Sequence, residues 1–195
     1  MKYSILSILT ISLLAISIRA NAQETYVVKG FKMSVSGTST LHEWESDITK
    51  VDAKGNLTVE NSELKALNSL SVTIPAKSIV STKGKIMDNK THEALKADKH
   101  PNITFSLSSA QISGLNVTAN GKLTIAGVTK NVKLNAKGKL DASGNITFSG
   151  SKDIVLTDYG MEPPTALMGS IKVGGQVNVK YELTLHATGV AGSTK

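Results

Sequence analysis

The 195-residue chain has no cysteine, and Arg19 is its only arginine. Without cysteine there is no disulfide, no thiolate nucleophile, no cysteine-ligated zinc and no lipid-bearing cysteine of the bacterial lipoprotein kind. Lys and Arg together number 22 against 15 Asp and Glu, a formal charge of +7, and every basic residue after Arg19 is lysine. Readers of nucleic acid rely on the arginine fork for phosphate and guanine, so scattered lysines argue against that partner. They suit a solvated surface, with transient contact to an anionic membrane as the sharper reading of the same charge. Aromatic residues are scarce: one Trp, four Tyr and three Phe. Only one long apolar run exists, from Ile5 to Ile18, between Lys2 and the small-x-small sequence Ala20-Asn21-Ala22. Charge, apolar run and small residues in that order describe a secretory signal peptide, residues 1–22, cleaved before Gln23. The run is short for a permanent span, and no other stretch approaches the length a bilayer needs. Residues 23–195 remain as one domain, periplasmic or secreted, long enough for a substantial core that no disulfide assists.

What is present is a period of two. "SLSVTIPAK" sets Leu70, Val72 and Ile74 against Ser71, Thr73 and Pro75, and "ITFSLSS" sets Ile103, Phe105 and Leu107 against Thr104, Ser106 and Ser108. "KLTIAG", "NVKLNAKGKL", "NITFSGS" and "QVNVKYELTLH" continue the alternation. Such segments form strands with one buried and one wet face. Gly and Asn at "DAKGN", "SGLN", "ANGK" and "DASGN" read as hairpin turns between them. No linker or repeat of fixed period interrupts the pattern. Many similar strands must hide their edges, and an up-and-down barrel does so by closing. The fold class is therefore all-β: one antiparallel, lipocalin-like barrel.

Two stretches depart from the alternation. "MDNKTHEALKADKHP" lacks β-branched runs and predicts a short helix, with Asp88 as its N-cap and Pro101 barring continuation. Met87, Thr91 and Leu95, four apart, give it one mostly apolar stripe. "TDYGMEPPTALMGS" reads as a loop anchored by Pro163-Pro164.

The usual chemistries find little support. His42-Glu43 begins like a zinc-protease signature, but the position four after His42 is Ser46. Asp88 and His92 have helical metal-ligand spacing, with Asp98 and His100 close by, yet Asp88 is expected to cap the helix. No nucleophile-elbow motif and no recognisable carboxylate pair is present. The expectation is a non-enzyme with no metal and no cofactor.

Five segments in order across the chain carry a resemblance: "SGTSTLHEWE", "VTIPAKSIVS", "MDNKTHEALKADKHPNITF", "GKLTIAGVTKNVKL" and "LTDYGMEPPTALMGSIKVGGQV". Together they resemble the YceI-like family, exported lipocalin-like barrels associated with polyisoprenoid lipids. The resemblance implies an antiparallel barrel of about eight strands with an apolar tunnel for a long isoprenoid chain. The expected role is lipid binding, extending to that of a carrier. A structural or stress-protective barrel with a filled interior is the rival, and a metal-dependent enzyme using His42, His92 and His100 a second.

Strand parity then selects candidate lining residues: Trp44, Leu70, Val72, Ile74, Ile103, Phe105, Leu123 and Ile125. Met87 and Leu95 on the helix, with Met161 and Met168 on the loop, are expected to cover a mouth, where flexible thioethers adapt to varied ligands. His42 shares parity with Trp44 and is the candidate contact for a ligand head group. Few aromatics remain to plug the axis, which with the resemblance favours a hollow barrel.

The signal-peptide reading has a direct test. Intact-mass analysis of the exported protein should give a chain beginning at Gln23; a retained Met1 would contradict it.

Overall fold

The alternating segments become strands almost throughout, in a computed structural model that describes residues 24–82 and 84–188. The expected signal peptide lies outside the described residues. In chain order the elements are β1 (Glu24–Ser39), β2 (Glu43–Ile48), β3 (Asp52–Glu60), β4 (Glu63–Pro75), β5 (Ile79–Ser81), α1 (Lys85–Ala94), β6 (Asn102–Ser113), β7 (Asn116–Ile125), β8 (Val128–Leu140), β9 (Ile146–Val155), β10 (Thr165–Ala166) and β11 (Ile171–Ala187). The tightest hairpins join strands through two residues of positive φ. Asn61 and Ser62 do so between β3 and β4, and Ala126 and Gly127 between β7 and β8. That left-handed pair matches the right-handed twist of the strands it joins.

Eight strands close a barrel in the order β1-β3-β4-β6-β7-β8-β9-β11, with β11 returning to β1. All of its ladders are antiparallel. β1 has two partners on its other side. Its start, Glu24–Val27, pairs with β3, whereas Ser34–Thr38 pairs with β2, which in turn pairs with β5. The inserted pair β2–β5 therefore flares the barrel at the end where β1 finishes.

Two ladders are short, and they lie at opposite ends. β4 meets β6 only over Ser71–Pro75 and Asn102–Ser106, towards the flared end. β8 meets β9 only over Ala136–Leu140 and Ile146–Gly150, towards the other end. The barrel is thus two sheets, β6-β7-β8 and β9-β11-β1-β3-β4, pinned at diagonally opposed corners.

The narrow end is solid. Leu57, Ile146 and Leu185 are fully buried there. A Cβ on Gly138 of β8 would meet Val117 at 3.2 Å, Phe148 at 3.4 Å and Leu64 of β4 at 3.6 Å. β4 and β8 are not neighbours in the sheet, so those side chains meet across the axis. Burying such leucines contributes roughly 1.5–3 kcal/mol each.

The flared end is covered by α1, which has no buried residue of its own. Its start corrects the sequence reading. Asp88 is not the N-cap; Gly84, at φ 94°, precedes the helix, and no side chain caps it. Instead the Asp88 carboxylate accepts the Ser81 backbone N–H at 2.6 Å, tying the helix to β5. His92 makes a second tie, its Nε2 donating to the Ile79 carbonyl at 3.0 Å.

The β8–β9 corner depends on a carboxylate. Asp141 accepts the backbone N–H groups of Ser143 and Asn145 at 2.9 Å each, and the Asn145 side-chain amide at 2.6 Å. The Asn145 side-chain bond is the main reason its carboxyl titrates below the ordinary aspartate range, helped by the backbone N–H groups and by Lys29. A carboxyl with a depressed native pKa stabilises the fold fully above the unfolded value, near 4, and loses that contribution as pH falls through the native value. Urea unfolding from pH 6 to pH 2 should therefore show a loss that is smaller in Asp141→Asn; equal losses in the two proteins would contradict this role.

Candidate functional site

The space between the solid end and α1 is hollow. A cavity of about 180 Å³ occupies the middle of the barrel. A second, of about 260 Å³, lies under α1. They abut, because Val35, Ile79, Ile103, Ile125, Ile154 and Val179 wall both. Each of these projects inward for the reason the strand period dictates: alternate side chains of a pleated strand share one face. Tyr181 also walls the deeper cavity, its hydroxyl donating to the Asn135 carbonyl at 3.0 Å; burial pushes that phenol's pKa up and keeps it a donor.

The sequence candidates divide between the two cavities. Leu70, Val72, Ile74, Phe105 and Leu123 wall the deeper one, while Ile103 and Ile125 wall both. Trp44, His42, Met87, Leu95 and Met161 wall the outer one. Met168 corrects the expected mouth cover. It sits in a tight turn at φ 55°, stands fully exposed and walls neither cavity. Its backbone is turned into the left-handed region, and the side chain stands away from the mouth.

Trp44 is placed by a glycine. It pairs with Gly37 of β1 on the inward face, and its indole lies over that residue. Any Cβ at Gly37 would come within 2.7 Å of the ring. The indole N–H donates to the Thr38 carbonyl at 3.1 Å, so the polar edge of the ring is satisfied while its apolar body forms the rim. His42, exposed beside it, donates Nδ1–H to the Glu43 carbonyl at 2.8 Å.

A YceI-like domain model matches residues 19–185. The chain belongs to the YceI-like family. Solved structures give the same architecture. The structure of Burkholderia cenocepacia BcnA is 20% identical with a TM-score of 0.65, over 79% of this chain and 95% of that one. A polyisoprenoid-binding domain from Saccharophagus degradans, implicated in plant cell wall breakdown, is 11% identical with a TM-score of 0.64, over 85% and 99%. The Campylobacter jejuni YCEI protein is 25% identical with a TM-score of 0.53, over 73% and 86%. No curated protein matches the sequence.

Within this YceI-like barrel the polar candidates are dispersed. Among the described residues, no three His, Asp or Glu side chains are grouped to hold a metal ion. Asp88 and His92 are both engaged in fastening α1, and Asp98 faces Lys77 in an exposed ion pair at 2.6 Å. His100 packs instead against Gly127, where a Cβ would fall within 2.4 Å of its ring. The barrel class is that of a binding fold with an apolar interior.

Several wall residues escaped the sequence selection. Met33 and Val35 of β1, Ile154 of β9 and Val179 of β11 carry the same alternation as the chosen residues. Counting parity along "FKMSVSG" and "KYELTL" would have found Met33, Val35 and Tyr181. Lys152 is different in kind, since a lysine ordinarily reads as outward, yet it walls the deeper cavity.

The single Trp makes the rim measurable. Gly37→Ala should displace the indole and red-shift Trp44 emission, with about 1–3 kcal/mol lost from overpacking. Unchanged emission would show that the ring does not rest on Gly37.

Proposed function

We propose that this YceI-like protein is an exported lipid-binding protein that holds an isoprenoid-type chain inside the barrel, with α1 over the entrance and a carrier role in the periplasm or outside the cell. One observation carries the reading: two abutting apolar cavities run along the axis where a filled barrel would have side chains in contact. Among the described residues the deeper cavity's wall is wholly apolar, Lys152 and Tyr181 presenting only carbon to it. Empty apolar space of this kind forfeits dispersion contacts that a bound chain restores.

The volumes bound the chain. A 150 Å³ apolar cavity accommodates benzene, roughly 25 Å³ per carbon. At that rate cavities of about 180 and 260 Å³ hold about fifteen to twenty carbons, or three to four isoprene units. Each buried methylene contributes roughly 0.8 kcal/mol, so such a chain is retained by its hydrocarbon alone even after the cost of ordering it. A longer chain would leave through the mouth, displacing a helix that two side-chain hydrogen bonds fasten to β5.

Trp44 and His42 are the rim residues of this proposal, and Met87, Leu95 and Met161 its adaptable cover. Lysines scattered over the outside favour transient contact with an anionic membrane from which lipid is taken. Among the described residues no helix is long and apolar enough to cross a membrane.

Mass spectrometry of an organic extract of natively purified protein tests the proposal. One prenyl-chain lipid at close to one per chain is expected. An extract free of lipid, with an unchanged melting temperature after delipidation, would favour the structural barrel instead.

A further inference from the structure

The two sheets part between β8 and β9 at the flared end. Their ladder stops at Ala136 and Gly150, although β8 extends back to Val128 and β9 on to Val155. The chain after β9 returns to β8 beyond the gap, where a Cβ on Gly160 would lie 3.7 Å from Val128 Cγ2. What remains is a seam without ladder hydrogen bonds, a window in the hydrogen-bonded wall. Tyr181 braces its inner edge, reaching over Gly150 to donate to the Asn135 carbonyl at 3.0 Å. Gly150 is required there, because a Cβ would come within 2.6 Å of the Tyr181 hydroxyl.

Lys152 stands at this window. Phe148, Gly150, Lys152 and Ile154 share the inward face of β9, and Lys152 pairs with inward Val179. It is the one charged residue in the wall of the deeper cavity, to which it presents its carbon stem and not its ammonium. Among the described residues it has no ion-pair or hydrogen-bond partner. The outer cavity's lysine, Lys90, is by contrast already paired with Glu93 at 3.2 Å. An ammonium on an apolar face is costly unless its head reaches water or an anion. Lys152 is half-buried, so part of its side chain reaches water, and a ligand with an acidic head offers the second.

We propose that the barrel takes an anionic amphiphile, its tail in the lumen and its phosphate or carboxylate on the Lys152 ammonium at the β8–β9 window. This rests on the lipid-binding reading above and adds the head-group chemistry and its place. The head then sits at the side of the barrel, and the tail runs past Val35 and Ile103 towards α1. A charge-assisted pair at a partly dry site discriminates against a neutral head of equal size by at least about tenfold.

The test is binding of four probes to delipidated protein: geranylgeranyl monophosphate, geranylgeraniol, palmitate and hexadecanol. Wild type should bind at least one anion about tenfold more tightly than its alcohol, and whichever anion shows the preference identifies phosphate or carboxylate as the head. Lys152→Gln should abolish that preference, and Lys152→Arg should retain it. Equal affinity for acids and alcohols in wild type would overturn the proposal without recourse to any variant. So would a preference that survives in Lys152→Gln, which would mean that Lys152 merely reaches through the window to water. Binding of the alcohols without preference leaves the lipid-binding reading standing; no binding of any probe overturns both.

Discussion

The pairing of the first strand with the last is the constraint on which the rest of the molecule depends. β1 and β11 share twelve register pairs, from Tyr26 with Ala187 to Ser39 with Val173. An eight-stranded sheet left open would present two long edges of unpaired N–H and C=O groups. Closure removes them, but it also fixes how wide the barrel must be. β1 is too long to keep one partner on its other side, so it takes β3 at its start and β2 at its finish. The barrel is consequently narrow where β3 pairs and flared where β2 and β5 intrude.

That asymmetry decides what the interior can do. At the narrow end Leu64, Val117 and Phe148 meet around Gly138, and side chains touch across the axis. At the flared end the same class of aliphatic side chain no longer spans the axis. Large aromatics would be needed to fill it, and few exist: of the ring residues, Phe105, Phe148 and Tyr181 wall the deeper cavity and Trp44 the outer one. The hollow follows from strand geometry and composition together. The lid over it is correspondingly light, since α1 buries no residue and leans on Asp88 and His92.

Much of this was legible in the sequence because period two is a local property. Leu70, Val72, Ile74, Ile103, Phe105 and Leu123 could be assigned to one face without knowing what they faced. The helix was legible from the loss of alternation. What the sequence hid was non-local or set by backbone direction. Asp88 looks like a cap in isolation, and only the return of Ser81 beside it shows the carboxylate's partner. Met168 looked like a neighbour of Met161, but its positive φ sends it to solvent. Lys152 was hidden by the habit of reading every lysine as outward; its place depends on β8 and β9 parting company at Gly150, and no local pattern encodes where a ladder stops. The family resemblance covers the fold, while the diagonal pinning of the two sheets depends on where two ladders stop.

The central claim is that the axis of the barrel is empty, apolar and open to hydrocarbon. Crystals of delipidated protein pressurised with xenon test it most directly, because an apolar cavity stays dry and admits xenon where a polar one holds water. The account predicts xenon in both cavities, in contact with Val35, Ile103, Ile154 and Val179. Side chains meeting across the axis, or ordered water at those positions, would contradict it.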